Sequence, residues 1–477
     1  MKKYILTLGL VFGLIGCSDD YYESINIDQT NPSEVPADFL IPYATTSLFH
    51  QMYNQNVNLN VFRFFAQYLT TTQYPDEPNY ELNVRNITGN HWNRLYTRVL
   101  YNLKDARQKI DADLQMDAAV KNNQLAVIDI MEVYAWQVLV DSFGNIPYTE
   151  ALQGLENQFP IYDDAATIYA DLIERISADI NAINVDAEGF GSADLVYEGD
   201  MNKWKKMAAS LKLRIGVTLL DVNPSLATST IQSALSAGVF TSNDDNFQLN
   251  YLPSQPYTNP VYEDLVISGR NDYVPANTVV DIMNGLDDPR RPIYFSNPIE
   301  GAYVGGVYGT TNAFNARSHE GEIFYTPTMP GVLLDYAEVE FMLAEAALKG
   351  VSVGGSVESH YNAGIMANME FWGVPTDEAN AYLASPSVAW GSAPGTDSQK
   401  LAMQFWLGMY DKGWSGWNVW RRFDYPEMNT AFDSGRPVPT RYTYPLSESS
   451  LNPDAYNAAA SAIGGDEQTT KLFWDTH

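Results

Sequence analysis

Two residue patterns in this chain could do chemistry. The first is Gly350-Val351-Ser352-Val353-Gly354, which fits the G-x-S-x-G spacing of a nucleophile elbow. Such an elbow needs a strand leading in and a helix leading out, so that a strained turn exposes the serine oxygen. Here the preceding residues, YAEVEFMLAEAALKG, read as a helix ending at a glycine C-cap, so the spacing predicts an ordinary turn between two helices. The 58 Asp and Glu residues contain no pair that the sequence singles out for acid–base work. No H-E-x-x-H, P-loop or dinucleotide fingerprint occurs. The five histidines, at 50, 91, 319, 360 and 477, lack metal-ligand spacing, and one cysteine can form neither an intramolecular disulfide nor a thiolate cluster. The expectation is no catalytic residue, no metal and no cofactor.

The second pattern is an excess of tyrosine and tryptophan, 31 and 10 residues, with Asn, Gln and Arg beside them in loops. Flat aromatic faces stack on the C–H faces of sugar rings, while amide and guanidinium groups hydrogen-bond hydroxyls. Peptide and protein surfaces use the same anchors. The loop residues suited to such contacts are Tyr74 and Tyr80 in TTTQYPDEPNYELN, then Tyr257, Tyr262, Arg270, Asn271 and Tyr273. Trp92, Trp204 and Trp406 fall on apolar helix faces, where packing competes with contact. Of these, Trp92 is carried as a further ligand-binding candidate.

The lone Cys17 raises a different chemistry. Lys2 and Lys3 precede an uncharged run from Tyr4 to Ile15, and Gly16 stands just before the cysteine. This is the layout of a secretory signal, and about a dozen residues fall short of the roughly 20 that span a bilayer. Leu14-Ile15-Gly16-Cys17 also resembles the bacterial lipobox, which implies cleavage before Cys17 and lipidation of its thiol. Two or more acyl chains anchor a protein firmly. No other stretch is long enough to cross a membrane.

Cleavage there would leave 26 basic residues against 58 acidic ones. Such acidity excludes nucleic acid, whose phosphates would go unneutralised, and disfavours lying on an anionic membrane surface. With 45% hydrophobic residues the chain can bury a large core.

Helices must position whatever the loops bind. In HWNRLYTRVLYNLKDARQKI, Trp92, Leu95, Tyr96, Val99, Leu100, Leu103, Ala106 and Ile110 share one face. LAVIDIMEVYAWQVLVD is apolar nearly all round and predicts a buried helix. Amphipathic runs follow from Ile168 to Ile183 and from Trp204 to Leu219, with further helices over 333–349, 356–372 and 399–412. The pairing of such helices through short turns suggests hairpins, without a clean fixed-period repeat. Between Gly238 and Gly331 the character changes: nine prolines and nine glycines interrupt helices, and eight tyrosines accompany them. The expected organisation is a signal peptide at 1–16, a lipidated tether at 17–36, and one domain at 37–477 into which the loop-rich 238–331 part is inserted.

Several ordered segments together resemble one family, the SusD/RagB-type nutrient-binding lipoproteins. Asp141-Ser142-Phe143-Gly144-Asn145-Ile146-Pro147-Tyr148 is similar to its D-x-F-G-D-[IV]-P-Y stretch, with Asn145 replacing the usual Asp. Leu343-Ala344-Glu345-Ala346-Ala347 resembles its late helix, and Trp420-Arg421-Arg422 with Tyr425-Pro426 its W-x-R-R-x-x-Y-P element. Pro439-Thr440-Arg441-Tyr442-Thr443-Tyr444-Pro445 is similar to P-x-R-x-x-Y-P. The segment from Gly464 to Asp475 resembles a G-G-D-x-x-T-T-K-x-W-W-D ending, Phe473 departing from Trp. The resemblance implies a mainly α fold: tetratricopeptide-like helical hairpins carrying an irregular, loop-rich ligand-binding part with few short strands. It also implies an outer-membrane, surface-exposed lipoprotein whose partner is a SusC-like TonB-dependent β-barrel transporter. Ser18-Asp19-Asp20 resembles the acidic export signal of such lipoproteins. The expected ligand is an oligosaccharide. Peptide ligands are the second reading, and a surface hydrolase the third. No binding residue transfers from the family, whose contact loops vary.

Overall fold

Acidic and amide side chains start five of the ten principal helices. The computed structural model describes residues 35–477, so the expectations for the signal segment, Cys17 and nearly all of the tether lie outside the described residues. The principal helices are α1 (Ala37–Met52), α2 (Tyr101–Ala112), α3 (Ala118–Phe143), α4 (Ala165–Ala182), α5 (Met201–Thr218) and α6 (Pro224–Ala237). After the loop-rich region come α7 (Tyr336–Leu348), α8 (Val357–Phe371), α9 (Asp397–Gly408) and α10 (Gly413–Phe423). The side chains of Asp117, Asp164, Asp200, Asn223 and Asp335 accept backbone N–H bonds at the starts of α3 to α7. Each satisfies a donor that the helix itself leaves free. Part of the acidity read from composition is therefore capping chemistry.

Helices consecutive in the chain pack on one another, α2 on α3, α3 on α4, α4 on α5, α5 on α6 and α7 on α8, and α7 also packs on α9. This is the mainly α, hairpin-built fold. Gly364 lets α8 approach α7, since a Cβ there would lie 2.8 Å from the Phe341 ring. Ser352 sits in the turn between these two helices, and Gly350 and Gly354 on either side have φ of 86° and 85°. A helix rather than a strand leads into it, so no nucleophile elbow forms. The expected helix over 333–349 starts later, because Gly331–Leu334 forms a strand and Asp335 caps the helix.

Within the loop-rich part, strands are short and pair across distance. β1 (Leu69–Thr71) pairs with β3 (Tyr273–Pro275), β2 (Phe247–Leu249) with β6 (Gly331–Leu334), and β4 (Phe295–Ser296) with β5 (His319–Glu320), all antiparallel. A buried ion pair ties this part to the N-terminal helices: Arg63 donates to Glu320 at 2.8 Å and to Gln55 at 2.8 Å.

The segments that carry the family resemblance are one another's partners. Arg421 donates to the carbonyls of Asp141 and Thr440, both at 2.8 Å. Arg441 donates to the Phe143 carbonyl at 2.9 Å and pairs with Asp466 at 2.7 Å. Trp474 donates its indole N–H to Asp141 at 2.9 Å, and Arg422 pairs with Glu345 at 3.0 Å. Four stretches far apart in sequence thus close a single buried ring around the D-S-F-G turn, and a fifth, at Glu345, is tied to it through Arg422. Their role is architectural.

Candidate functional site

Pairing of β1 with β3 sets Thr71 opposite Tyr273 and so brings two loops to one edge. Thr72 continues the contact, donating its N–H to the Asp272 carbonyl at 2.8 Å and its hydroxyl to the Asn271 carbonyl at 2.5 Å. Between the loops lies a polar cleft of about 40 Å³, lined by Tyr74, Glu77, Arg85, Asp264, Arg270, Asp272 and Tyr273, with Asn56, Asn58 and Gln73 at its edge. A space this small holds little more than one water, so a ligand would lie across it rather than enter it.

Tyr74 is the platform of this cleft. It is 53% exposed and holds a φ of 53°, a left-handed conformation that a bulky residue seldom adopts. The Arg85 guanidinium lies 5.6 Å from its ring and pairs with Glu77. Exposed Arg270 pairs with Asp272 at 2.5 Å. Both cations lining the cleft are thereby matched by carboxylates, which leaves directional donors without an unpaired positive charge. At the floor, Asp264 accepts from Asn56 at 3.2 Å through one oxygen, while the other is buried without a hydrogen-bond partner. Burial pushes its carboxyl up to about 7, against the Asn56 hydrogen bond, which lowers it. Tyr273 packs its ring on Phe64, with centroids 5.8 Å apart, and burial raises its hydroxyl's pKa.

The sequence candidates therefore divide. Tyr74, Arg270 and Tyr273 meet in the cleft, and Asn271 stands at its rim as an exposed residue between two that line it. Tyr262 is half-buried in a short helical turn, Pro260–Tyr262, outside that lining. Two candidates are corrected. Tyr80 is 1% exposed: its ring packs between Phe65 and Tyr308, with centroids 5.7 and 6.2 Å away. Trp92 is 7% exposed and packs on Tyr96 and Phe143 at 4.9 and 5.0 Å. Both are core residues, held there by burial of large apolar area.

Tyr257 lies elsewhere, 62% exposed on a groove of about 530 Å³. Pro42, Tyr43, Thr46 and His50 of α1 form one wall, and Leu249 to Leu252 with Tyr257 form another. Sequence reading missed α1's contribution. The spacing of 42, 46 and 50 along one helical face was the available signal.

Among the described residues no group of three or more His, Cys, Asp or Glu could hold a metal ion, and no helix is long and apolar enough to cross a membrane. A family model described as "Starch-binding associating with outer membrane" (SusD-like) matches residues 29–445. Among solved structures, the chain is similar to a chitin-binding protein at 26% identity, covering 92% of this chain and 100% of the other, with a TM-score of 0.79. It is similar to a chitin-binding SusD homolog from Flavobacterium johnsoniae at 24% identity, with 92% and 99% coverage and a TM-score of 0.79. A SusD homolog from Bacteroides uniformis gives 22% identity, 92% and 100% coverage and a TM-score of 0.80. A search of curated proteins found no match. With a family match running through most of its length, the chain belongs to the SusD-like family of outer-membrane-associated proteins.

Proposed function

We propose that this protein is a lipid-anchored, surface-exposed binding protein that captures a neutral oligosaccharide and passes it to a SusC-like TonB-dependent transporter, without catalysing a reaction. The observation that carries the reading is the Tyr74 platform: an exposed ring in a strained backbone conformation, surrounded by amide and guanidinium donors already balanced by carboxylates. Strain of that kind persists where the surroundings enforce it, and it clusters at ligand clamps. Neutrality of the ligand follows from charge. The chain carries a net charge of −30, and the cleft's cations are paired, so a polyanionic glycan would meet repulsion and no free counter-charge. The chitin-binding protein at 26% identity supports a β-linked neutral glycan.

Calorimetric titration of the chain from residue 18 onward with neutral oligosaccharides and with peptides tests the reading. Heat with glycans and no change in their chain length is expected. Heat with peptides alone would overturn the carbohydrate assignment, and appearance of shortened products would overturn the binding-only one.

A further inference from the structure

Phe432 is a large apolar residue turned to solvent, 71% exposed. A single exposed ring needs no explanation by itself. What marks this one is the scaffold that holds it. Its N–H donates to the Tyr308 carbonyl and that of Asp433 to the Gly309 carbonyl, both at 3.1 Å, while the Gly435 N–H closes the turn on the Ala431 carbonyl at 2.8 Å. Ala431 beside it is fully buried. Gly309 permits the close approach: a Cβ there would lie 2.5 Å from the Phe432 nitrogen, and its φ of 79° is left-handed. The phenyl ring is thus presented from a fixed turn.

That turn is laced to the loop of Tyr74. The Asn79 side chain donates to the carbonyls of Pro75 and Gly309, both at 2.7 Å, and accepts the Ser434 N–H at 2.9 Å. Asn312, from the segment that supports Phe432, donates to the Thr71 carbonyl of β1 at 3.0 Å. Traced through the Asn79 amide, the Cα atoms of Tyr74 and Phe432 lie at most about 20 Å apart, within reach of one oligosaccharide. Phe432 stands outside the lining of the cleft.

We propose that Phe432 is a second sugar-stacking platform, an outer subsite that extends the site beyond the Tyr74 cleft and favours longer neutral glycans. Its surroundings fit a sugar better than a protein partner. Thr311, Asp433 and Ser434 are exposed, and among the described residues no other large apolar side chain is exposed between 302 and 322 or between 424 and 445. The core of a protein interface is apolar over a contiguous area, whereas a sugar ring offers one C–H face edged by hydroxyls. Nearby Arg436 is paired with Glu81 at 2.6 Å, so charge is matched here as it is in the cleft.

This inference rests on the oligosaccharide reading, and the test separates the two. The chain from residue 18 onward is titrated calorimetrically with N-acetylchitobiose, N-acetylchitohexaose, cellobiose and cellohexaose. In the series that binds, the hexaose should bind more tightly than the biose. Phe432→Ala should lower hexaose affinity about 3- to 10-fold, the yield of one aromatic stacking contact, and leave biose affinity and the Tm unchanged. Tyr74→Ala should weaken binding at both lengths. Phe432→Tyr keeps the flat face and should keep hexaose affinity, while Phe432→Leu keeps apolar area without the face and should behave as Phe432→Ala does. Unchanged hexaose affinity in Phe432→Ala, or an equal loss at both lengths, overturns the outer subsite and leaves the general function standing. Full hexaose affinity in Phe432→Leu overturns the stacking. Binding of none of the four glycans overturns the subsite and the neutral β-linked glycan reading together.

Discussion

Replacing Arg441 by Met tests whether the ring of family motifs is architecture or binding surface. The Arg441 side chain is fully buried. Its guanidinium pairs with Asp466 at 2.7 Å, donates twice to the Phe143 carbonyl at 2.9 and 3.2 Å, and lies 4.7 Å from the Tyr444 ring centroid. Met preserves much of the packing volume but leaves Asp466 with only the Tyr444 N–H and the Tyr456 hydroxyl. Breaking a buried pair by removing one partner costs about 3–5 kcal/mol. Unfolding entropy of about 2.1 cal/mol/K per residue over roughly 440 residues gives about 0.9 kcal/mol/K, so the Tm should fall by about 3–5 °C. Adding Asp466→Asn should return part of the loss, because the stranded charge disappears. Differential scanning calorimetry at pH 7 reads the shift, and glycan titration at 25 °C should find affinity unchanged. A Tm within 1 °C of wild type, or a selective loss of glycan binding, would refute the architectural role.

Other outcomes follow from the same geometry. Tyr74→Ala should weaken oligosaccharide binding about 10-fold with no change in Tm, by calorimetric titration and thermal melt, because the ring is largely exposed. Tyr80→Ala, six positions on, should do the reverse, costing about 3–5 kcal/mol of stability as a buried aromatic. Gly364→Ala should lower the Tm, since a methyl 2.8 Å from the Phe341 ring overpacks by about 1–3 kcal/mol against a helix-propensity gain of about 1 kcal/mol. Asp264 gives a pH signature. Its carboxyl, raised to about 7 in the folded chain, binds protons more tightly than in the unfolded chain, so its ionisation opposes folding as pH rises from about 4 through 7. The Tm of Asp264→Asn minus that of wild type should therefore grow over that window and level off above it. A difference that stays flat from pH 4 to 8 would contradict the assigned burial.

The hairpins were legible because apolar residues recur at helical spacing, as from Leu95 to Ile110, where the predicted face is the buried one. Helix α1 was not. Thr45, Ser47 and Gln51 are buried alongside Leu48 and Phe49, and Pro42 sits inside it, so no clean stripe shows. Composition located the loop-rich region but could not separate its tyrosines. Tyr74 and Tyr80 share a loop and a left-handed backbone, and only long-range neighbours such as Tyr308 send one inward. The gathering of Tyr74 with Arg270 depends on β1 pairing with β3, two strands of three residues separated by about two hundred positions. No local signal encodes that pairing. Likewise the family motifs were readable in order, while their hydrogen bonds to one another were not.

The ring around Asp141 also constrains when the protein can finish folding. Asp141 and Trp474 are 333 positions apart, so their contact closes a loop that takes in most of the chain. Before that closure the hairpins can form from local contacts, but the turn at Phe143 lacks the arginines and the tryptophan that enclose it. Non-local closure of this kind comes late and slowly. Residues 464–475 thus complete the seam from the far end of the chain: without them the turn at Phe143 loses the Trp474 indole N–H on Asp141, and buried Arg441 loses the Asp466 carboxylate.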